Sequence, residues 1–318
     1  MAVYTSLSDA DLAELLAGYD LGALVSCAGI EEGVENSNYA LTTARGRFIL
    51  TLFEKRTAEA DLPFFMAMMA HLAEREFPAP QPVPLRGGGY LTRVADKPAA
   101  IVSHLDGVWP RTWGVAQCAA VGDALARMHV ALFGFALARA NALSLDGWEA
   151  LITPRLIEAE ALRPGLRALL EQDMAEVRAA WPGALPKGAI HADLFPDNAL
   201  FVGERLTGVI DFYFACTDFL AYDLAVCLNA WCFTEEREYD VARGRAMIGA
   251  YEKVRPLSEA ERAALPTLAR GAALRFLATR LADWSDTPAG ALVKPKDPLE
   301  YADKLAFHRE ATAADYMA

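Results

Sequence analysis

The strongest constraint on this 318-residue chain is one interruption in the pattern of its second half. Apolar residues recur at helical spacing on either side of residues 188–214, but that island reads as short β-runs around a turn and ends on an acid. It runs Gly188-Ala-Ile-His191-Ala-Asp193-Leu-Phe-Pro-Asp197-Asn198-Ala-Leu-Phe-Val, then Gly203-Glu-Arg-Leu-Thr-Gly-Val-Ile-Asp211. The turn at Val202-Gly203-Glu204-Arg205 brings the two ends of the hairpin back together. Asp193, Asn198 and Asp211 are therefore expected to converge at one mouth.

That set suits phosphoryl transfer. One carboxylate must orient or accept the proton of an attacking hydroxyl, and Asp193, at the tip of a turn, fits that role. A second carboxylate and a carboxamide must give hard oxygen ligands to Mg²⁺, which bridges nucleotide phosphates; Asp211 and Asn198 fit those. His191 joins Asp193 in the catalytic group as the residue that braces the loop by hydrogen bonds. Asp197 is read as a cap. Any one of these residues could be a plain turn-former; the ordered string around a hairpin is what points to chemistry.

The first hundred residues have a different texture. Ser8 with Asp11 marks a helix start, Leu12, Leu15 and Leu16 form its stripe, and Gly18 stops it. Tyr39, Leu41 and Thr43, then Phe48, Leu50 and Leu52, alternate around Ala44-Arg45-Gly46-Arg47 as an antiparallel hairpin. A helix over about 57–75 follows, then a stiff proline-rich connector from Pro78 to Pro84 and two short strands near 90–94 and 99–103. From His104 onward the pattern is helical, with Cys118, Val121, Leu125, Met128 and Leu132 on one buried face and further helices near 155–180, 218–231, 240–254 and 258–284. The expected fold is α+β and bilobal: residues 1–103 an antiparallel sheet with one long helix, residues 104–318 mainly helical, and a hinge at 104–107.

The HxDxxxxN string and the strand-end aspartate resemble the catalytic loop and metal site of protein kinases, and more closely the kinase-like small-molecule phosphotransferases. Tyr213 stands where protein kinases carry Gly after Asp-Phe. The chain also passes almost directly from Asp211 into helix 218–231, with no long activation loop, which suits a small substrate. Three more stretches sharpen the likeness: Glu35-Asn36-Ser37-Asn38-Tyr39, Phe48-Ile49-Leu50-Thr51-Leu52-Phe53-Glu54, and Tyr222-Asp223-Leu-Ala-Val-Cys-Leu-Asn229-Ala-Trp231. With these, nearly the whole chain resembles the kinase-fold homoserine kinases, relatives of aminoglycoside phosphotransferases and choline kinases. The resemblance implies a protein-kinase-like fold, ATP and Mg²⁺ as cofactors, and phosphorylation of the L-homoserine hydroxyl in threonine biosynthesis.

In such a fold the first lobe cradles ATP. The loop from Gly29 to Tyr39 lacks a GxGxxG pattern, so Asn36, Ser37 and Asn38 are the expected phosphate-side donors. Thr51 occupies the place of the strand lysine, Lys55 and Arg56 lie at the strand end, and Glu59 is the candidate helix acid. His104 and Asp106 belong to the hinge beside the adenine. Homoserine is a zwitterion, so its pocket needs a cation and an anion. Arg275 and Arg280 are the carboxylate candidates, with Tyr213, Asp218, Asn229 and Trp231 lining the site; Asp223 is expected to tie its helix to the catalytic loop. Choline, ethanolamine, hydroxylysine or an aminoglycoside are the alternative acceptors. A metal hydrolase is disfavoured, because only one His lies near the carboxylates and no His-rich ligand set accompanies it.

Charge restricts partners. Lys and Arg number 30 against 42 Asp and Glu, a net −12, which is a poor match to nucleic acid or an anionic membrane. The partners expected are small molecules alone, bound by a monomer or homodimer. The 5 cysteines, with no CxxC pair, suggest free thiols in a reducing compartment. No signal peptide or membrane helix is evident, so a cytoplasmic location is expected.

Overall fold

The computed structural model describes residues 4–30, 36–54, 57–287 and 295–317. Residues 31–35 of the expected phosphate loop, and Lys55 and Arg56, lie outside the described residues. Helix α1 (Asp9–Ala17) starts where the sequence places it: the Ser8 hydroxyl accepts from Asp11 N while the Asp11 carboxylate takes Ser8 N. Its Leu12 and Leu15 pack on a five-stranded antiparallel sheet of order β1-β2-β3-β5-β4. The strands are β1 (Leu24–Gly29), β2 (Ser37–Thr43), β3 (Gly46–Leu52), β4 (Thr92–Val94) and β5 (Lys97–Ser103). Because side chains alternate along a strand, Tyr39, Leu41, Leu50 and Leu52 bury against α1, and Asn38, Ile49 and Thr51 take the opposite face. Asn38 and Thr51 are register partners.

Helix α2 (Leu62–Ala73) begins later than the periodicity suggested. Residues Glu59–Asp61 form a 3-10 turn, and Pro63 sits in the first helical turn, where its missing N–H costs nothing. Leu62, Phe64, Phe65, Met66, Met68, Met69 and Leu72 are all buried, as a helix apolar on every side demands. After β5 the chain crosses to the second lobe. His104 N donates to Arg47 O at 3.2 Å, and Val108 and Phe201 exchange backbone bonds of 3.0 and 2.9 Å. Gly107, at φ +133°, passes so close to Thr207 that a Cβ would lie 2.5 Å from its Oγ1.

The second lobe is built on α3 (Val115–Ala131), α7 (Leu220–Trp231), α8 (Val241–Val254) and α9 (Glu259–Asp286), with α4 (Leu145–Ile152), α5 (Leu156–Leu162), α6 (Leu166–Ala180), α10 (Leu299–Glu310) and α11 (Ala313–Met317) around them. Gly122 lets α3 touch α8: a Cβ there would sit 2.1 Å from Met247 O. The single helix expected over 155–180 is two, parted at Gly165 with φ +85°. Helices α4, α10 and α11 carried no sequence signal. Two small ladders complete the lobe: β6 (Lys187–Ile190) with β9 (Cys216–Phe219), and β7 (Ala199–Val202) with β8 (Arg205–Val209).

Candidate active site

The island holds its shape against backbone preference. Ala192 has φ 62°, and Asp211 has φ 63° with ψ 62°. Non-glycine residues keep left-handed angles only where their surroundings impose them. At Ala192 the restraint is Asp223 on α7. Its fully buried carboxylate accepts from His191 N at 2.8 Å, Ala192 N at 2.7 Å and His129 Nε2 at 3.0 Å. Burial alone would raise its pKa, but His129 and the loop amides outweigh that and hold the carboxyl below its usual range. The restraint continues through the lobe: Arg255 Nη1 donates to the Tyr251 hydroxyl at 3.0 Å, Tyr251 is 2.8 Å from His129 Nδ1, and Arg255 Nη2 meets Glu261 at 2.7 Å. One polar chain thus joins α3, α7, α8 and α9.

His191 is spent on bracing. Its Nε2 donates to Ile210 O at 2.9 Å and its Nδ1 accepts from Asp193 N at 3.2 Å. Burial pushes its pKa down, so the ring stays neutral. Trp231, fully buried, donates its indole N–H to Leu194 O at 2.8 Å. It supports the loop from beneath, in the core and outside the expected pocket lining.

Asn198 and Asp193 are in direct contact, and the backbone brings the Asp211 end of the hairpin alongside. Asn198 Nδ2 donates to Asp193 O at 2.8 Å and lies 3.4 Å from Asp193 Oδ2, while Ile210 N donates to Asn198 O at 3.0 Å, which sets Asp211 beside them. Asp211 is exposed. Using Nδ2 as the donor fixes Asn198 Oδ1 as the oxygen available to a metal. Among the described residues there is no group of three or more His, Cys, Asp or Glu able to hold an ion alone. One carboxylate and one carboxamide are a hard, incomplete oxygen set, which fits Mg²⁺ shared with phosphates and water.

On the opposite jaw several of the expected donors already have partners. Ser37 Oγ accepts from Tyr4 N and Thr5 N and donates to Glu54 Oε1 at 2.7 Å, and Asn36 Oδ1 accepts from Glu54 N at 3.2 Å. Both are structural, tying the N-terminus to the end of β3. Asn38 and Thr51, on the sheet face away from α1, are joined at 2.7 Å, and Thr51 is buried. Tyr213 closes over them: its hydroxyl meets Thr51, and its ring stands edge-on to Phe53 and Phe65 at 5.1 and 5.7 Å. An aromatic wedge therefore fills the place of a lysine–glutamate pair, and Tyr213 belongs to the lobe contact. Glu59 pairs with Arg93 of β4 at 2.9 Å on the surface. Asp106 pairs through its carboxylate with Arg47, and its carbonyl accepts from Thr207. His104 Nδ1 is buried without a hydrogen-bond partner among the described residues.

The amino-acid side resolves between the two arginines. Arg275 Nη1 meets Asp193 Oδ1 at 2.9 Å. Arg280 is committed to Glu300 at 2.5 Å and Asp297 O at 3.0 Å. Arg280 and Lys304 together hold Glu300 down to about 2 against the opposing effect of burial. Asn229 is also core: it donates to Ala225 O and Ala269 O and accepts from His308 at 2.9 Å. Asp218, half-buried, accepts from Asn141 at 2.8 Å. Sequence reasoning missed Asn141, His129 and the clamp in which Arg139 grips Asp61 ahead of α2 at 2.7 Å and Ala215 O at 3.1 Å. A lone His in a helical pattern and an Arg in a loop carry no periodic signal.

Comparison with known proteins agrees with this geometry. The pattern of the phosphotransferase enzyme family matches residues 26–257. The homoserine kinase of Rhodospirillum rubrum is 60% identical over 97% of this chain and 96% of its own length. That of Afipia carboxidovorans is 59% identical over 97% and 95%. Among solved structures, an amicoumacin kinase bound to AMP-PNP, Ca²⁺ and amicoumacin superposes with TM-score 0.70 at 15% identity, covering 96% of this chain and 93% of its own. A microcompartment-associated aminopropanol kinase gives 0.65 at 19% identity, covering 98% and 99%. The bilobal protein-kinase-like fold is thereby established, and the chain belongs to the homoserine kinases of the phosphotransferase enzyme family.

Proposed function

We propose that the protein transfers the γ-phosphoryl group of ATP to the side-chain hydroxyl of L-homoserine. This reading is supported by the bond of Asn198 Nδ2 to Asp193 O and the backbone bond of Ile210 N to Asn198 O, which bring the two ends of the island alongside each other, in a chain 60% identical to a homoserine kinase. Residues 1–103 would cover the nucleotide, and the hinge at 104–107 would run beside the adenine. Asn198 Oδ1 and the Asp211 carboxylate would hold Mg²⁺, which when bound neutralises charge on the β- and γ-phosphates.

The hydroxyl oxygen attacks the γ-phosphorus in line. The new O–P bond forms as the bond to the β–γ bridging oxygen breaks, the electron pair leaves with ADP, and the hydroxyl proton passes to Asp193. No phosphoenzyme is needed. Arg275 is the carboxylate receptor of the substrate, and Asp218 is the candidate acid for its ammonium. Among the described residues no helix is long and apolar enough to cross a membrane. The test is ADP release measured with homoserine, choline, ethanolamine and an aminoglycoside in turn. Turnover with homoserine is expected; turnover confined to choline would reassign the substrate.

A further inference from the structure

The acid expected to take the substrate's proton already has a partner. Arg275 reaches Asp193 Oδ1 from α9 at 2.9 Å, with the arginine side chain 4% exposed and the aspartate 20%. The guanidinium lies 3.9 Å from the Phe276 ring centre and 5.2 Å from that of Phe214, so its body is fixed between aromatic surfaces. Among the described residues Asp193 is its one hydrogen-bond partner, which leaves the rest of a planar fork of donors unused. A buried guanidinium facing a single carboxylate oxygen is under-coordinated, and a second carboxylate would complete it. The Tyr222 hydroxyl, buried and without a partner among the described residues, feels the charge of the same arginine.

Homoserine carries a carboxylate and a hydroxyl separated by three carbons, a span of roughly 5 Å when extended. That span can bridge the ion pair, with the carboxylate on the free edge of the fork and the hydroxyl on Asp193. Resting on the homoserine-kinase reading, we infer that Arg275 is a substrate-released clamp on the catalytic aspartate. It holds Asp193 when no amino acid is present and yields it when the substrate carboxylate takes the guanidinium. Water has no carboxylate to exchange, so it meets an engaged base, and idle ATP hydrolysis is suppressed. Arg275 thus acts on the reaction through Asp193 as well as on the substrate. Asn198, which also holds Asp193, keeps the aspartate in place once the arginine lets go.

The test compares wild type, Arg275→Met and Arg275→Lys in an ADP-release assay with three acceptors: L-homoserine, 3-aminopropan-1-ol (the same skeleton without the carboxylate) and water alone. Met keeps the stem between the aromatic rings and removes the clamp. Arg275→Met should lower kcat/KM for homoserine roughly 10- to 100-fold, the worth of one charge-assisted hydrogen bond. The same variant should raise turnover of aminopropanol and of water about tenfold. Arg275→Lys keeps a charge on Asp193 but lacks the fork, so it should raise KM for homoserine and raise water turnover by less than Arg275→Met does. A purely structural arginine would depress all three acceptors together, and a simple receptor would cost homoserine alone; either result overturns the clamp. Absence of homoserine turnover in wild type would instead overturn the assigned function.

Discussion

The two jaws of the cleft do opposite kinds of work. The upper jaw pairs neutral groups, Asn38 bonded to Thr51 and Tyr213 wedged against Phe53 and Phe65, and keeps a charged pair at the end of β3, where Lys97 meets Glu54 at 2.9 Å. The lower jaw concentrates charge, with Asp193 on Arg275, Asp223 on His129, and Asn198 and Asp211 between them. Among the described residues the charged contacts of the lower jaw gather around the loop of Asp193, whereas the Glu54–Lys97 pair of the upper jaw ties the end of β3 to β5. An isolated lysine buried on the upper face would need a carboxylate partner to offset its desolvation, and α2 offers none.

The largest effect should come from the lower jaw. Asp193→Ala is expected to reduce kcat about 1000-fold while the Kd for ATP, read by calorimetry, changes little; comparable damage to both would erase the contrast. Next, Asp223→Ala strands two loop amides and a histidine in the core. It should cost about 3–5 kcal/mol of stability in urea titration, and a loss under about 1 kcal/mol, the size of an exposed pair, would mean the loop is held by something else. The upper jaw is probed by Thr51→Lys, which restores the residue protein kinases use. It should weaken ATP binding about tenfold, because the ammonium displaces the Asn38 bond and crowds Tyr213; tighter binding would break the comparison.

The last effect is one of pH. His308 is buried neutral, between Tyr316 and Asn229, and burial pulls its pKa from 6.5 to about 3. The unfolded chain therefore binds the extra proton first. Its contribution to stability is complete above about pH 6.5 and drains away toward pH 3. His308→Gln should lessen the slope of stability against pH in that window, by at most about 1.4 kcal/mol per pH unit.

Much of the lower jaw was legible in the sequence because it is local. The Gly203 turn brings Asn198 and Asp211 together, and Asp193 is five positions from Asn198 along one loop. The Ser8 cap and the hairpin from β2 to β3 were equally readable, since caps and alternation are properties of neighbouring residues. What failed was long-range. Periodicity marks a buried face but does not name the element opposite, so Arg275 and Arg280 looked equivalent until one met Asp193 across 82 positions and the other met α10. Asn36 and Ser37 looked like phosphate donors because polar loop residues advertise their atoms without revealing which are already spent. Glu59 misled for a similar reason: a 3-10 turn ahead of α2 rotates it to the surface.

The hydrogen-bonded chain from Glu261 and Arg255 through Tyr251 and His129 to Asp223 has a mechanical consequence. It ties the root of α9, the helix that carries Arg275, to the loop that carries Asp193, so both members of that ion pair are bolted to the same frame. Heat or denaturant should then dismantle the floor of the cleft in one step and not loosen the loop first.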